Sequence, residues 1–183
     1  RSVLDVAAYH FHYEGMFRYL KTGFSLLTQS ETDELENYVL AHGIKGQKWL
    51  KDTWEYGMQY KTPEQKEHIN TLREKAILPL KELYEKSKKK QTLLEWIKCV
   101  FAFLQTIEAA EKTMELAENA ESVERAREHQ QIWSMLTELL EKGVELLGNE
   151  KMSIVEFSKI IEAGLEQSKM GVIPPTVDSV IVG

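Results

Sequence analysis

From Thr62 to Leu165, apolar side chains recur at three- and four-residue spacing with few interruptions, and this periodicity commits the chain to packed helices. Thr62-Pro63-Glu64-Gln65 supplies an N-cap threonine, proline at the first helical position and glutamine at the third. Ile69, Leu72, Ala76, Leu80 and Leu83 then carry the apolar stripe. Pro79 lies inside it, lacks an N–H and clashes with the preceding turn, so a kink is expected near Leu78. "EKSKKKQT" (85–92) reads as a turn. Leu93 opens a second helix through Ile97, Val100, Phe101, Leu104, Ile107 and Met114 to about Asn119. A third, about 122–147, carries Met135, Leu136, Leu139, Leu140 and Val144 and closes at Gly148-Asn149. Ser153 and Glu156 form a capping box for a fourth, with Phe157, Ile160, Ile161 and Leu165, ending at Gly171. Pro174-Pro175 forces an extended tail. Short turns between long helices make residues 63–171 an antiparallel bundle.

Residues 1–62 read as shorter helices. Val3, Val6, Ala7 and His10 share one face of a helix over 1–12. Residues 13–24 continue as a second, with Phe17 and Leu20 inward and Gly23 as its C-cap. Ser30 and Asp33 suggest the start of a third, with Leu35 and Val39 on its apolar side and Gly43 at its end. Residues 44–62 are irregular and aromatic, with Trp49, Trp54, Tyr56 and Tyr60 pinning a loop to the core and a short extended piece within "WEYGMQY". The chain is therefore expected to be all-α and a single domain over 1–183: short helices and an aromatic loop (1–62) packed on a bundle (63–171), with an extended tail (172–183).

The net charge of −6 gives no general basic character. The charge is uneven, however. Residues 63–90 hold 8 basic and 5 acidic side chains, whereas 91–183 hold 8 and 16. A polyanion footprint is thus confined to the first half. One cysteine, Cys99, excludes an internal disulfide and fits a reducing, cytoplasmic compartment. No apolar run reaches the ~18 residues of a membrane span. Arg1 in place of an initiating methionine, and strand-like "TVDSVIVG" at the far end, suggest a piece of a longer protein.

Catalytic signals are weak. His10 and His12, two apart, point to different sides of a helix and make no metal pair. Cys99 lies on the apolar face beside Val100 and Phe101, where a thiol is inert. Glutamates 108, 111, 115, 118, 121, 124 and 128 form a solvated face. No phosphate-loop, dinucleotide or nucleophile-elbow motif is present. Two basic groups remain. In "GIKG" (43–46), small residues let a phosphate approach the backbone, Lys45 and Lys48 add charge, and Trp49 braces the turn. Lys86, Lys88, Lys89 and Lys90 follow a helix C-terminus, which favours cations in any case and also suits phosphate contact.

The string "FRYLKTGFSLLTQSETDELENYVLAHGIKGQKWL" (17–50) resembles the B subunit of bacterial AddAB-type ATP-dependent helicase/nucleases. Phe17, Leu20, Lys21, Thr22, Gly23, Leu35, Glu36, Asn37, Tyr38, Gly43, Ile44, Gly46 and Trp49 match the family's pattern in order, and "VIPPTVDSVIVG" (172–183) is similar to its approach to the second motor domain. The resemblance implies an all-helical insert, of the kind called 2B, in a protein that works with a partner helicase/nuclease, the A subunit, on double-strand DNA ends for recombinational repair. It implies a parent hydrolase using ATP, magnesium and an iron–sulfur cluster held outside 1–183, with no catalytic residue and no cofactor here. Related 2B subdomains contact duplex DNA through glycine-containing turns. Lys45, Lys48 and Lys86 to Lys90 would do so here. An alternative is a module that docks the partner helicase through the acidic helix.

Overall fold

The chain's computed structural model describes residues 2–119 and 123–172. The elements run α1 (Ser2–Ala8), α2 (Tyr13–Leu20), α3 (Gln29–Ala41), α4 (Pro63–Ile77), α5 (Lys81–Ser87), β1 (Gln91–Thr92), α6 (Leu93–Thr106), α7 (Ala109–Glu118), α8 (Val123–Leu147), β2 (Lys151–Met152) and α9 (Ile154–Val172). Short 3-10 turns lie at Gly46–Leu50, Met58–Tyr60 and Leu78–Leu80. The all-α reading is correct, and the two-residue antiparallel pair β1–β2 is its small addition.

Local chemistry explains most boundaries. Thr62 and Gln65 cap α4 reciprocally, with Pro63 in its first turn. Pro79 sits in the 3-10 step between α4 and α5, where the kink was expected. Ser153 and Glu156 start α9. Thr92 and Glu95 cap α6, and Leu93 and Leu94 donate their N–H groups to the carbonyls of Glu150 and Gly148. Trp96 Nε1–H donates to Met152 O at 3.0 Å and its ring stacks on Phe157. The segment leading into β2 thus satisfies helix-terminal donors that would otherwise be unpaired.

Several expectations need correction. The first helix stops at Ala8, because Phe11 N donates back to Val6 O at 2.9 Å and both His10 and Phe11 take positive φ. α2 stops at Leu20, short of Gly23. α3 begins one residue before Ser30, with Thr28 and Glu31 as its capping box. "WEYGMQY" holds no strand. Gly57 is left-handed and a 3-10 turn follows. The helix expected over 93–119 breaks at Glu108, whose φ is 54°, and restarts as α7. α9 continues through Gly171 to Val172. The tail 173–183 and the side chains of Glu121, Glu124 and Glu128 lie outside the described residues.

Two apolar cores result. One gathers Phe11, Met16, Phe17, Tyr19, Leu35, Trp49 and Trp54 with Ile69, Leu72 and Ala76 of α4. The other gathers Leu4, Leu83, Trp96, Ile97, Leu140 and Phe157. α1 and α6 contribute to both, which couples them. Polar pins hold the first together. Tyr13 Oη–H donates to Glu36 at 2.7 Å, and Lys21 pairs with the same carboxylate at 2.6 Å. The hydrogen bond to Glu36, helped by burial, pushes the Tyr13 phenol up to about 12. Among the described residues no helix is long and apolar enough to cross a membrane.

Candidate nucleic-acid interface

The two glycines around Lys45 serve backbone conformation. α3 ends at Ala41, Gly43 takes φ 55°, and the N–H groups of Gly43 and Ile44 fold back onto the carbonyls of Leu40 and Val39. This is a left-handed helix stop with its usual apolar partner contact, since Val39 and Ile44 are both buried. Gly46 takes φ 62° and donates to Phe11 O at 3.2 Å. The N–H groups of Gly43, Ile44 and Gly46 are therefore all used within the protein. A five-residue 3-10 turn, rather than an α-helix, follows. What this turn can offer a phosphate is its lysine side chains.

Lys48 and Lys51 lie over the ring of Tyr56, which packs against a buried aromatic core. Trp49 and Trp54 are both 0 % exposed and meet edge-on at 5.0 Å, with Phe17 on the other side of Trp49 at 6.1 Å. Trp54 Nε1–H donates to Lys48 O at 2.7 Å, and Tyr38 stacks on Trp54. The buried Arg73 donates to Asp52 O at 2.7 Å and so ties α4 to the loop. Lys48 Nζ donates to Gly43 O at 3.0 Å and lies 5.2 Å from the Tyr56 ring centre. Lys51 Nζ lies 5.5 Å from the same ring. Neither Lys51 nor Tyr56 was expected in the site from the sequence. The signal was partial: Lys45, Lys48 and Lys51 are spaced by three, but Lys48 alone lies in the 3-10 turn and the other two flank it in extended backbone. Among the described ion pairs, none uses Lys45, Lys48 or Lys51.

The second basic group is more engaged. Lys88 pairs with Glu85 at 2.6 Å and lies 5.1 Å from the Tyr84 ring centre. Lys90 faces Glu156 at 3.7 Å. Lys89 is exposed and Lys86 half-buried, with no ion pair among the described residues. The two groups border the same turn. Tyr84 packs on Phe11 at 4.8 Å and on His10 at 5.9 Å, while Phe11 O accepts the Gly46 N–H. Residues 9–12 thus lie between the stretch carrying Lys45 to Lys51 and the end of α5.

The other titratable residues are dispersed. His12 Nε2 accepts from Gly15 N and caps α2, whereas His10 packs on Tyr84. Cys99 is buried, 4.0 Å from Glu82, and its thiol is pushed up by burial and then by that carboxylate. Glu108, Glu111, Glu115 and Glu118 are exposed on and beside α7. Among the described residues no three His, Cys, Asp or Glu side chains gather as a metal site would need.

No protein-family model matches the chain. Curated proteins do. The chain is 40 % identical over 193 residues to a protein of Clostridium botulinum (strain Loch Maree / Type A3), covering 100 % of the chain and 17 % of that relative. It is 36 % identical over 193 residues to one from Caldanaerobacter subterraneus subsp. tengcongensis, covering 99 % and 17 %, and 40 % identical over 184 residues to one from Clostridium novyi (strain NT), covering 99 % and 16 %. All three carry one name, that of the B subunit of an ATP-dependent helicase/deoxyribonuclease. The resemblance read from residues 17–50 therefore extends along the whole chain, and the chain spans about a sixth of the length of these relatives.

Proposed function

With similarity to the B subunit of ATP-dependent helicase/deoxyribonucleases as the premise, we propose that this chain is a non-catalytic, 2B-like helical segment of such a protein. It serves as a scaffold and contacts double-stranded DNA. The observation that carries this reading is the similarity over the full chain at 36–40 % identity. The unpaired lysines over Tyr56 support the DNA contact. ATP, magnesium and iron–sulfur chemistry would reside elsewhere in the longer protein, which works in the cytoplasm on DNA ends with a partner helicase/nuclease, the A subunit. Lys45, Lys48 and Lys51 make the principal phosphate contacts, and Lys86 and Lys89 a second set. Lys88 and Lys90 contribute less, because each already faces a carboxylate.

The test is a titration of the chain with duplex DNA at about 50 mM salt, where such contacts are strong. Binding should be independent of sequence and weaken steeply with salt. Lys45→Glu with Lys48→Glu should reduce it far more than Glu115→Gln with Glu118→Gln. Absence of binding would leave the scaffold role alone. A second reading has one specific observation behind it. Met114 on α7 is 65 % exposed among exposed glutamates, and Leu116 is exposed beside it. That surface would suit docking to the partner that the relatives' naming as a B subunit implies. Co-purification lost on Met114→Glu would favour docking over DNA contact.

A further inference from the structure

We infer that the Tyr9–His10 turn is a stacking platform for an unpaired nucleotide, placed beside duplex held by the two lysine groups. This rests on the DNA reading above and deepens it. Tyr9 is 58 % exposed, a large fraction for a tyrosine. Among the described ring contacts its ring meets only His12, perpendicular to it at 5.8 Å. The turn is also strained. His10 and Phe11 have φ of 52° and 56°; histidine is among the residues that tolerate this region, but a phenylalanine there is a genuine outlier. His10 occupies the position after α1 where glycine is usual. Such strain persists only where the surroundings fix it, and it clusters at binding sites. The fixing contacts are the Phe11 N–H to Val6 O, the Gly46 N–H to Phe11 O, and the Tyr84 ring under His10.

These same contacts place the turn between the basic groups. Gly46, next to Lys45, is bonded to it, and Tyr84, whose ring also faces Lys88, packs against it. Two of the nearby carboxylates are already engaged, Asp5 with Arg18 at 3.8 Å and Glu85 with Lys88, whereas Glu14 on α2 is exposed. A phosphate backbone gripped on both sides would carry a base across Tyr9. Every base presents an apolar face to an aromatic ring, so the contact would be tolerant of sequence. A fully paired duplex keeps its internal bases stacked inside, and drawing a base of its terminal pair across Tyr9 would cost the pairing that an overhanging nucleotide does not have to break. The geometry therefore favours the end of a duplex that carries a single-stranded overhang.

The experiment compares the affinity of the 183-residue chain for a blunt duplex and for the same duplex with a short overhang. The overhang should bind at least about fivefold tighter, the lower end of what one stacked base contributes. Tyr9→Ala should abolish that preference and leave blunt-duplex affinity unchanged, whereas Tyr9→Phe should keep it. Circular dichroism of each variant confirms folding, which an exposed side chain should not disturb. A wild-type chain that binds both DNAs equally, or a Tyr9→Ala chain that keeps the preference, overturns this inference and leaves the duplex reading standing. A chain that binds neither DNA overturns both.

Discussion

The aromatic loop and the acidic α7–α8 hairpin lie in one chain, yet they are built on opposite terms. Residues 44–60 have little regular structure but bury Ile44, Trp49, Trp54 and Met58 and are tied down by Arg73 and Asn70 from α4. The described residues of the hairpin are nearly all helical, yet Met114 and Leu146 are 65 % and 81 % exposed. An apolar cavity of about 260 Å³, lined by Val3, Leu83, Val100, Leu136, Ile161 and Leu165 among others, lies between the bundle helices. Regular structure and burial are thus decoupled here. The irregular segment is the better anchored, and it is the one that carries unpaired cations. A site needs that anchoring, because a lysine on a mobile loop holds no geometry for a ligand.

The sharpest way to break this contrast is to remove its anchors. Trp49→Ala or Trp54→Ala should cost about 3–5 kcal/mol in denaturant unfolding, the usual range for a buried aromatic. Leu146→Ala should fall within about 0.5 kcal/mol. Equal costs would mean that the loop is no better packed than the hairpin. Next in size is Arg73→Leu. It strands the Asp52 carbonyl, a 2.7 Å acceptor, and should cost about 1–3 kcal/mol. If thermal unfolding is unmoved, the tie between α4 and the loop is unimportant. Thr62→Ala removes the cap that starts α4 just past the loop and should cost about 1 kcal/mol, with Thr62→Ser restoring most of it.

The smallest effect is acid sensitivity, to which two partly buried carboxylates of the N-terminal half should contribute. The Thr28 N–H and then Lys75 hold Glu31 below its usual 4.5. Burial works against ionised Glu36, but Lys21 and Tyr13 still hold it below 4.5. A carboxylate depressed in the folded state stabilises above its unfolded value, and that contribution is lost as pH falls through the folded value. The thermal midpoint should therefore be flat from about pH 7 to about pH 5 and decline below about pH 4.5. Glu36→Gln should flatten that decline. A midpoint that rises on acidification would reverse the sign and remove these pairs from the account.

What the sequence disclosed follows from how local each signal is. The boxes at Thr62 and Ser153 and the kink at Pro79 are set within four residues, so they were readable. The break at Glu108 was not, because a non-glycine residue takes the left-handed conformation there without a glycine or proline to mark it. The end of α1 was hidden for the same reason at His10 and Phe11. In the candidate site, the turn at Gly43 and the brace at Trp49 were legible. The fate of the Gly46 N–H was not, since its acceptor is Phe11, 35 positions away. Lys48 reaching back to Gly43 and Lys51 joining it over Tyr56 depend on a 3-10 turn that periodicity tuned to α-helices passes over.

The central claim, that DNA meets the anchored basic loop and not the acidic hairpin, is tested most directly by amide hydrogen exchange with and without duplex DNA at low salt. Slowed exchange should centre on residues 44–51 and 84–90, with Ala109–Glu118 unchanged. Protection confined to α7, with none at 44–51, would contradict it.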